Sequence, residues 1–256
     1  MLLAIDAGNT NVVFALCEGT TIKAVWRCAT DPRRTADEYA AWLLQLMTLQ
    51  GFGPKDVDAA IIGSVVPRAI FNLKTLCQKW FHQDPVLAGT GDANGGIRIL
   101  MDPPGIIGAD CLANAVAAGK LYGGPCIVVD FGTASTFSAV SADGSYEGII
   151  IIPGPNSSLE ALHQITARLP RVEIARPPRV IGKTTVLGMQ SGVFWGYIGL
   201  VENLVRRMQA EYGQPMKVIA TGGLSGLFSG ATDIFDHVDP ELTLKGLCLI
   251  HALNRP

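Results

Sequence analysis

The sequence predicts an α/β protein of two lobes that share one ancestry, with a cleft between them. Three observations carry this. One phrase occurs twice, as Ile5-Asp6-Ala7-Gly8-Asn9-Thr10 near the start and as Val129-Asp130-Phe131-Gly132-Thr133-Ala134 in the middle. Each copy ends an apolar run and leads into a second apolar run closed by a Gly-bearing turn, Glu18-Gly19 or Asp143-Gly144, so both read as β-hairpins. Strand and helix signals then alternate through both halves of the chain, which is the pattern of layered α/β units.

Taken in order, residues 2–5 and 12–16 form the first hairpin. Thr35-Ala36-Asp37-Glu38 opens a helix whose apolar stripe is Tyr39, Trp42, Leu43, Leu46 and Met47. Residues 59–66 read as a buried strand closed by Pro67. Residues 69–81 form a helix with Ile70, Leu73, Leu76 and Trp80 on one face. The Ala-rich stretch 107–121, after Gly105, reads as a helix leading into the second hairpin, 127–129 and 136–140. Helices are expected over 157–167, 185–212 and 242–253, and a strand over 217–221. Trp195 and Tyr197 fall on the long helix and read as core.

The chemistry sits at the strand ends. A single Asp-x-Gly is usually a plain turn. Two copies followed by amide or hydroxyl side chains point to a grip on a nucleotide's phosphates, because glycine admits close approach and successive backbone N–H groups bind anions. An Asp at each strand end can hold a cation or its bound water. A third glycine-rich point, Thr221-Gly222-Gly223-Leu224, follows a short strand and suits the nucleoside end.

Composition narrows the class. Of 256 residues, 48% are hydrophobic, enough for a sizeable core, and the net charge of −2 comes from 20 basic and 22 acidic residues without a basic run. Nucleic acid is therefore not an expected partner. The six cysteines show no C-x-x-C pair and no histidine spacing suited to zinc, so they read as reduced thiols of a cytoplasmic protein. The first residues lack a basic leader region, and no apolar run is long enough to span a bilayer, so no membrane partner is expected.

The ordered motifs Asp6-x-Gly8-Asn9-Thr10, Gly108-Ala109-Asp110, Asp130-x-Gly132-Thr133-Ala134, Pro153-Gly154, Leu169-Pro170, Ser191-Gly192 and Thr221-Gly222-Gly223 resemble those of type III pantothenate kinases across essentially the whole chain. The resemblance implies two ribonuclease H-like lobes related by duplication, over residues 1–120 and 121–256, in the actin-like ATPase fold. It implies ATP-dependent phosphorylation of pantothenate, the first step of coenzyme A synthesis, with Mg²⁺ and a monovalent cation, K⁺ or NH₄⁺, in a homodimer. By resemblance, Asp6 organises Mg²⁺ through water, Asp130 binds the monovalent cation, and Asp110 is the general base. Gly8, Asn9, Thr10, Gly132 and Thr133 line the phosphates, with Gly222 and Gly223 completing the ATP site. Met101, Gly108, Ala109, Cys111 and Thr185 fall on the acceptor side.

The departures from the family pattern lie on that acceptor side. An arginine is expected after the base, where this chain has Cys111, and a thiol offers a carboxylate no planar charged fork. The segment before Gly105 reads Met101-Asp102-Pro103-Pro104 where a tyrosine and an asparagine are usual. Glu147-Gly148 stands for Gly-Gly, and Thr184-Thr185 for Asn-Thr. Three readings follow: pantothenate with Arg98, Lys183 or Arg168 meeting its carboxylate, a kinase for another small alcohol, or a nucleotide-binding regulatory protein.

Overall fold

The computed structural model describes residues 1–90, 93–102 and 107–254. The chain divides into two compact units, Met1–Leu121 with Leu242–Pro256, and Tyr122–Glu241. Elements are numbered along the chain.

In the first unit, β1 (Leu2–Ala7), β2 (Asn11–Glu18) and β3 (Thr21–Ala29) form an antiparallel meander, and β4 (Ala59–Ser64) and β5 (Val86–Leu87) extend it in parallel, giving the order β3-β2-β1-β4-β5. The central strand β1 is apolar on both faces over residues 2–5, as a strand covered by helices on both sides requires. Leu3, Ile5, Phe14 and Leu16 pack with Tyr39 and Leu43 of α1 (Ala36–Leu49) and with Leu73 and Leu76 of α2 (Pro67–Phe81). Leu2, Ala4, Val13 and Ile61 pack on the other face with Leu112 and Val116 of α3 (Ala109–Ala117) and Leu247 and Ile250 of α7 (Leu242–Leu253). Gly246 is required where α7 crosses α3, because a Cβ there would enter the Ala113 backbone.

The second unit repeats the topology. β6 (Cys126–Phe131), β7 (Ala134–Val140) and β8 (Tyr146–Pro153) form the meander, with β9 (Lys217–Thr221) and β10 (His237–Val238) parallel beyond β6, in the order β10-β9-β6-β7-β8. Its core sets Ile127, Val129, Phe131 and Phe137 against Phe194, Tyr197, Ile198 and Val201 of α5 (Thr185–Tyr212). Phe228 of α6 (Ser225–Ser229) stacks on Phe131 at 5.0 Å and on Phe194 at 5.4 Å. The remaining helix is α4 (Pro155–Gln164).

α5, α7 and β9 run over the expected residues, and the Thr35 hydroxyl caps α1, accepting from the Glu38 N–H at 3.3 Å while the Glu38 carboxylate accepts from the Thr35 N–H at 2.8 Å. Other elements differ. Pro67 opens α2 rather than closing β4, since its missing N–H is no loss at a helix start. The helix α3 stops at Ala117, with Ala118–Tyr122 continuing as one π-helical turn, and α4 begins two residues early and ends at Gln164. The third strands β3 and β8 add to the expected hairpins. The last helix packs with the first unit, although it follows the second in sequence. Pro103, Pro104 and Gly105 lie outside the described residues.

Candidate active site

In the first unit, Asp6 lies near the end of β1, in register with Val13 on one side and Gly63 on the other. Ala7 faces Val12, so residues 8–11 make the turn, closed by the Gly8 N–H donating to the Asn11 carbonyl at 3.0 Å. Asp6 is half-buried, while Asn9, Thr10 and Asn11 are exposed. A Cβ on Gly8 would meet only the Asn11 carbonyl at 3.4 Å, so the protein leaves the space over this residue open. The turn is tied back by Thr30, just past β3. Its hydroxyl donates to the Gly8 carbonyl at 2.6 Å and its N–H to the Thr10 carbonyl at 2.9 Å.

Asp110 belongs to the same neighbourhood. The Val65 N–H donates to the Ala7 carbonyl at 3.1 Å, and Val65 Cγ1 lies 3.3 Å from where a Cβ of Gly108 would stand. The Ala109 Cβ lies 3.6 Å from the Cβ position of Gly63, which pairs with Asp6. Gly108 is the N-cap of α3, and the Asp110 carboxylate folds back over it, accepting the Cys111 N–H at 2.7 Å. Any side chain at 108 would displace that carboxylate. The half-buried Asp110 is thus held at the positive end of a helix beside the first turn. The Cys111 side chain is buried.

In the second unit, Asp130 is flanked by Thr136 on β7 and Thr221 on β9. Phe131 faces Ser135, leaving a turn of 132–134, one residue shorter than the first. The Thr133 carbonyl accepts from the Gly154 N–H at 3.0 Å and from the Ser157 hydroxyl at 2.7 Å. Gly154 must be glycine, since a Cβ would enter the Gly132 and Thr133 carbonyls. Gly222, at φ 87°, presses on the Asp130 carboxylate and the Phe131 backbone, which explains its identity through packing; Gly223 has open space around it. The buried Thr221 hydroxyl has no hydrogen-bond partner among the described residues. Such an orphan costs about 1–3 kcal/mol unless something pairs with it.

Of the residues expected near the acceptor, Thr184 caps α5 by accepting the Leu187 N–H at 3.2 Å, and Thr185 is the exposed first residue of that helix. Threonine and asparagine both serve as N-caps, so the Asn-to-Thr departure keeps the local structure. Met101 is half-buried. Within the first unit the structure gathers Asp6, Gly8, Asn9, Thr10, Gly108, Ala109 and Asp110; within the second, Asp130, Gly132, Thr133 and Gly222. Sequence reasoning missed Thr30 and Ser157, and took Thr221 only as the start of the Thr-Gly-Gly loop. For Thr30 the available signal was a polar residue directly after the third strand; Ser157 lies in the first turn of α4, where a serine gives no such signal.

Two units of one topology, each ending its first strand in an aspartate and an exposed turn, define the duplicated actin-like ATPase fold. Solved structures share it. A Campylobacter jejuni protein described as a conserved Baf-family transcriptional activator aligns with a TM-score of 0.61 at 19% identity over 98% of each chain. The activator of 2-hydroxyisocaproyl-CoA dehydratase from Clostridium difficile, solved with bound ADPNP, aligns with 0.57 at 10% identity over 99% of this chain and 94% of that one. The sequence model of "Type III pantothenate kinase" matches residues 2–207. A type III pantothenate kinase of Rhodospirillum rubrum is 55% identical over the full length of both chains. The chain belongs to the type III pantothenate kinase family.

Proposed function

We propose that this kinase transfers the γ-phosphoryl group of ATP to the primary hydroxyl of pantothenate with Asp110 as the base. Phosphoryl transfer asks mainly for positioning and charge neutralisation, so few groups suffice. Asn9, Thr10 and the 132–134 turn offer amides and hydroxyls to phosphate oxygens, and Gly223 leaves room for the nucleoside. Asp110 accepts the hydroxyl proton as the new O–P bond forms and ADP leaves. The observation that carries this reading is the Asp110 carboxylate beside the strand end of Asp6, with one oxygen steadied by the Cys111 N–H at 2.7 Å.

The donors suit the two cations the family implies. A half-buried carboxylate next to exposed oxygen donors fits Mg²⁺, a hard ion that keeps much of its water and shares phosphate oxygens. The Asp130 carboxylate beside the partnerless Thr221 hydroxyl fits K⁺, which takes neutral oxygens well. When bound, these cations neutralise charge on the phosphates. For the acceptor's carboxylate, Arg98 is the preferred partner among Arg98, Lys183 and Arg168, because it lies in the same unit as Asp110. The protein works as a cytoplasmic homodimer.

ADP release measured with Mg-ATP and K⁺, with and without pantothenate, tests the reading. Pantothenate-dependent ADP that disappears in Asp110→Asn is expected; turnover preserved in that variant contradicts the base assignment. Arg98→Ala is expected to raise the pantothenate KM at least tenfold and leave the ATP KM within twofold.

A further inference from the structure

Each turn is braced by one hydroxyl and one N–H, from residues that nothing so far assigns to the reaction. In the first unit the brace is Thr30, which follows β3 and gives one hydroxyl and one N–H to the carbonyls of Gly8 and Thr10, at 2.6 and 2.9 Å. In the second unit the brace follows β8, the strand equivalent to β3. Gly154 gives the N–H and Ser157 the hydroxyl, at 3.0 and 2.7 Å, both to the Thr133 carbonyl. The donor pair is the same although the sequences around it are not, and although the second turn is one residue shorter.

The geometry has a consequence at the peptide planes. In a trans peptide the carbonyl of one residue and the N–H of the next point in opposite directions. Fixing the Gly8 carbonyl on Thr30 turns the Asn9 N–H away from Thr30, and fixing the Thr10 carbonyl does the same for the Asn11 N–H. Fixing the Thr133 carbonyl turns the Ala134 N–H away from Gly154 and Ser157. These are the amides of the exposed turn residues Asn9, Asn11 and Ala134. A turn without its brace can flip a peptide and present a carbonyl to an anion instead.

We infer that Thr30 and Ser157 are paired positioning residues, one for each turn, whose hydroxyls hold the turn amides in the orientation that receives the phosphates of ATP. The inference rests on reading the two turns as phosphate sites. Neither side chain touches the reacting atoms, so both act through the turns they brace.

The test is steady-state kinetics on Thr30→Val, Thr30→Ser, Ser157→Ala and the double variant Thr30→Val/Ser157→Ala, with ADP affinity by calorimetry and melting temperature for each. Thr30→Val and Ser157→Ala should each raise the ATP KM and the ADP Kd about tenfold, as loss of one hydrogen bond to a constrained backbone allows. The pantothenate KM should stay within twofold. Thr30→Ser, which keeps the hydroxyl, should return the ATP KM to within twofold of the parent, and the double variant should combine the two losses. A wild-type ATP KM in both single variants overturns the inference, and so does a loss shared equally by both substrates that Thr30→Ser does not repair. If the parent protein itself shows no ADP binding, the reading of the turns as phosphate sites fails first and the braces lose their role with it.

Discussion

The two Asp-x-Gly turns have one topology and different surroundings. Asp6 has Val13 and Gly63 as cross-strand neighbours, and Asp130 has Thr136 and Thr221 in the same two places. Gly63 makes room for packing. A Cβ there would stand 2.8 Å from Leu247 and 3.6 Å from the Ala109 Cβ, so the glycine lets α3 and α7 come close, and with α3 comes Asp110. Thr221 does the opposite, filling its position with a buried hydroxyl that lacks a partner among the described residues. Duplication supplied two equal frames, and the neighbour beside each aspartate sets them apart: a glycine that admits α3 in the first and a buried hydroxyl in the second.

The largest effect is expected at the acid that α3 brings beside the first turn. Asp110→Asn should lower turnover by about 10²–10⁴, the usual worth of a general base, with ADP affinity unchanged. A smaller insult falls on the second turn. Gly154→Ala drives a methyl into the Gly132 and Thr133 carbonyls, so it should raise the ATP KM more than tenfold and destabilise by about 1–3 kcal/mol, read from kinetics and denaturant melts. Thr221→Val sharpens the cation contrast. It should raise the K⁺ concentration for half-maximal rate about fivefold while leaving stability equal or higher, because removing an orphan hydroxyl relieves its desolvation. The smallest kinetic effect is expected remote from both turns. Thr35→Ala removes the α1 capping box and should cost about 1 kcal/mol in thermal or denaturant unfolding without moving either KM.

The hairpins, the long helix α5 and the final helix α7 were legible because their signals are local: alternating apolar runs, a capping threonine, a helical stripe. The strand β3 was harder to read. In β3, Lys23 and Arg27 alternate with Ala24 and Trp26, a half-exposed pattern that carries less hydrophobic signal than the buried central strands. Missing that strand also hid Thr30, and Ser157 stayed hidden because its place depends on how the chain turns from β8 into α4. Pro67 misled because proline ends a strand and begins a helix with equal ease, and only the chain after it decides. The membership of α7 in the first unit is a long-range packing fact, set by Gly246 against Ala113, with no local trace. The Asp-x-Gly pair and Gly108-Ala109-Asp110 stood out as motifs, but what separates the two aspartates is their neighbours on other strands. Those neighbours are fixed by register.

The proposed division of labour, Asp6 for Mg²⁺ and Asp130 for K⁺, is tested most directly by titrating Asp6→Asn and Asp130→Asn separately against Mg²⁺ at saturating K⁺ and against K⁺ at saturating Mg²⁺, following ADP release. The account predicts a crossed result: Asp6→Asn raises the Mg²⁺ requirement and spares that for K⁺, and Asp130→Asn does the reverse. Both variants shifting the same ion, or each shifting both ions alike, would contradict it.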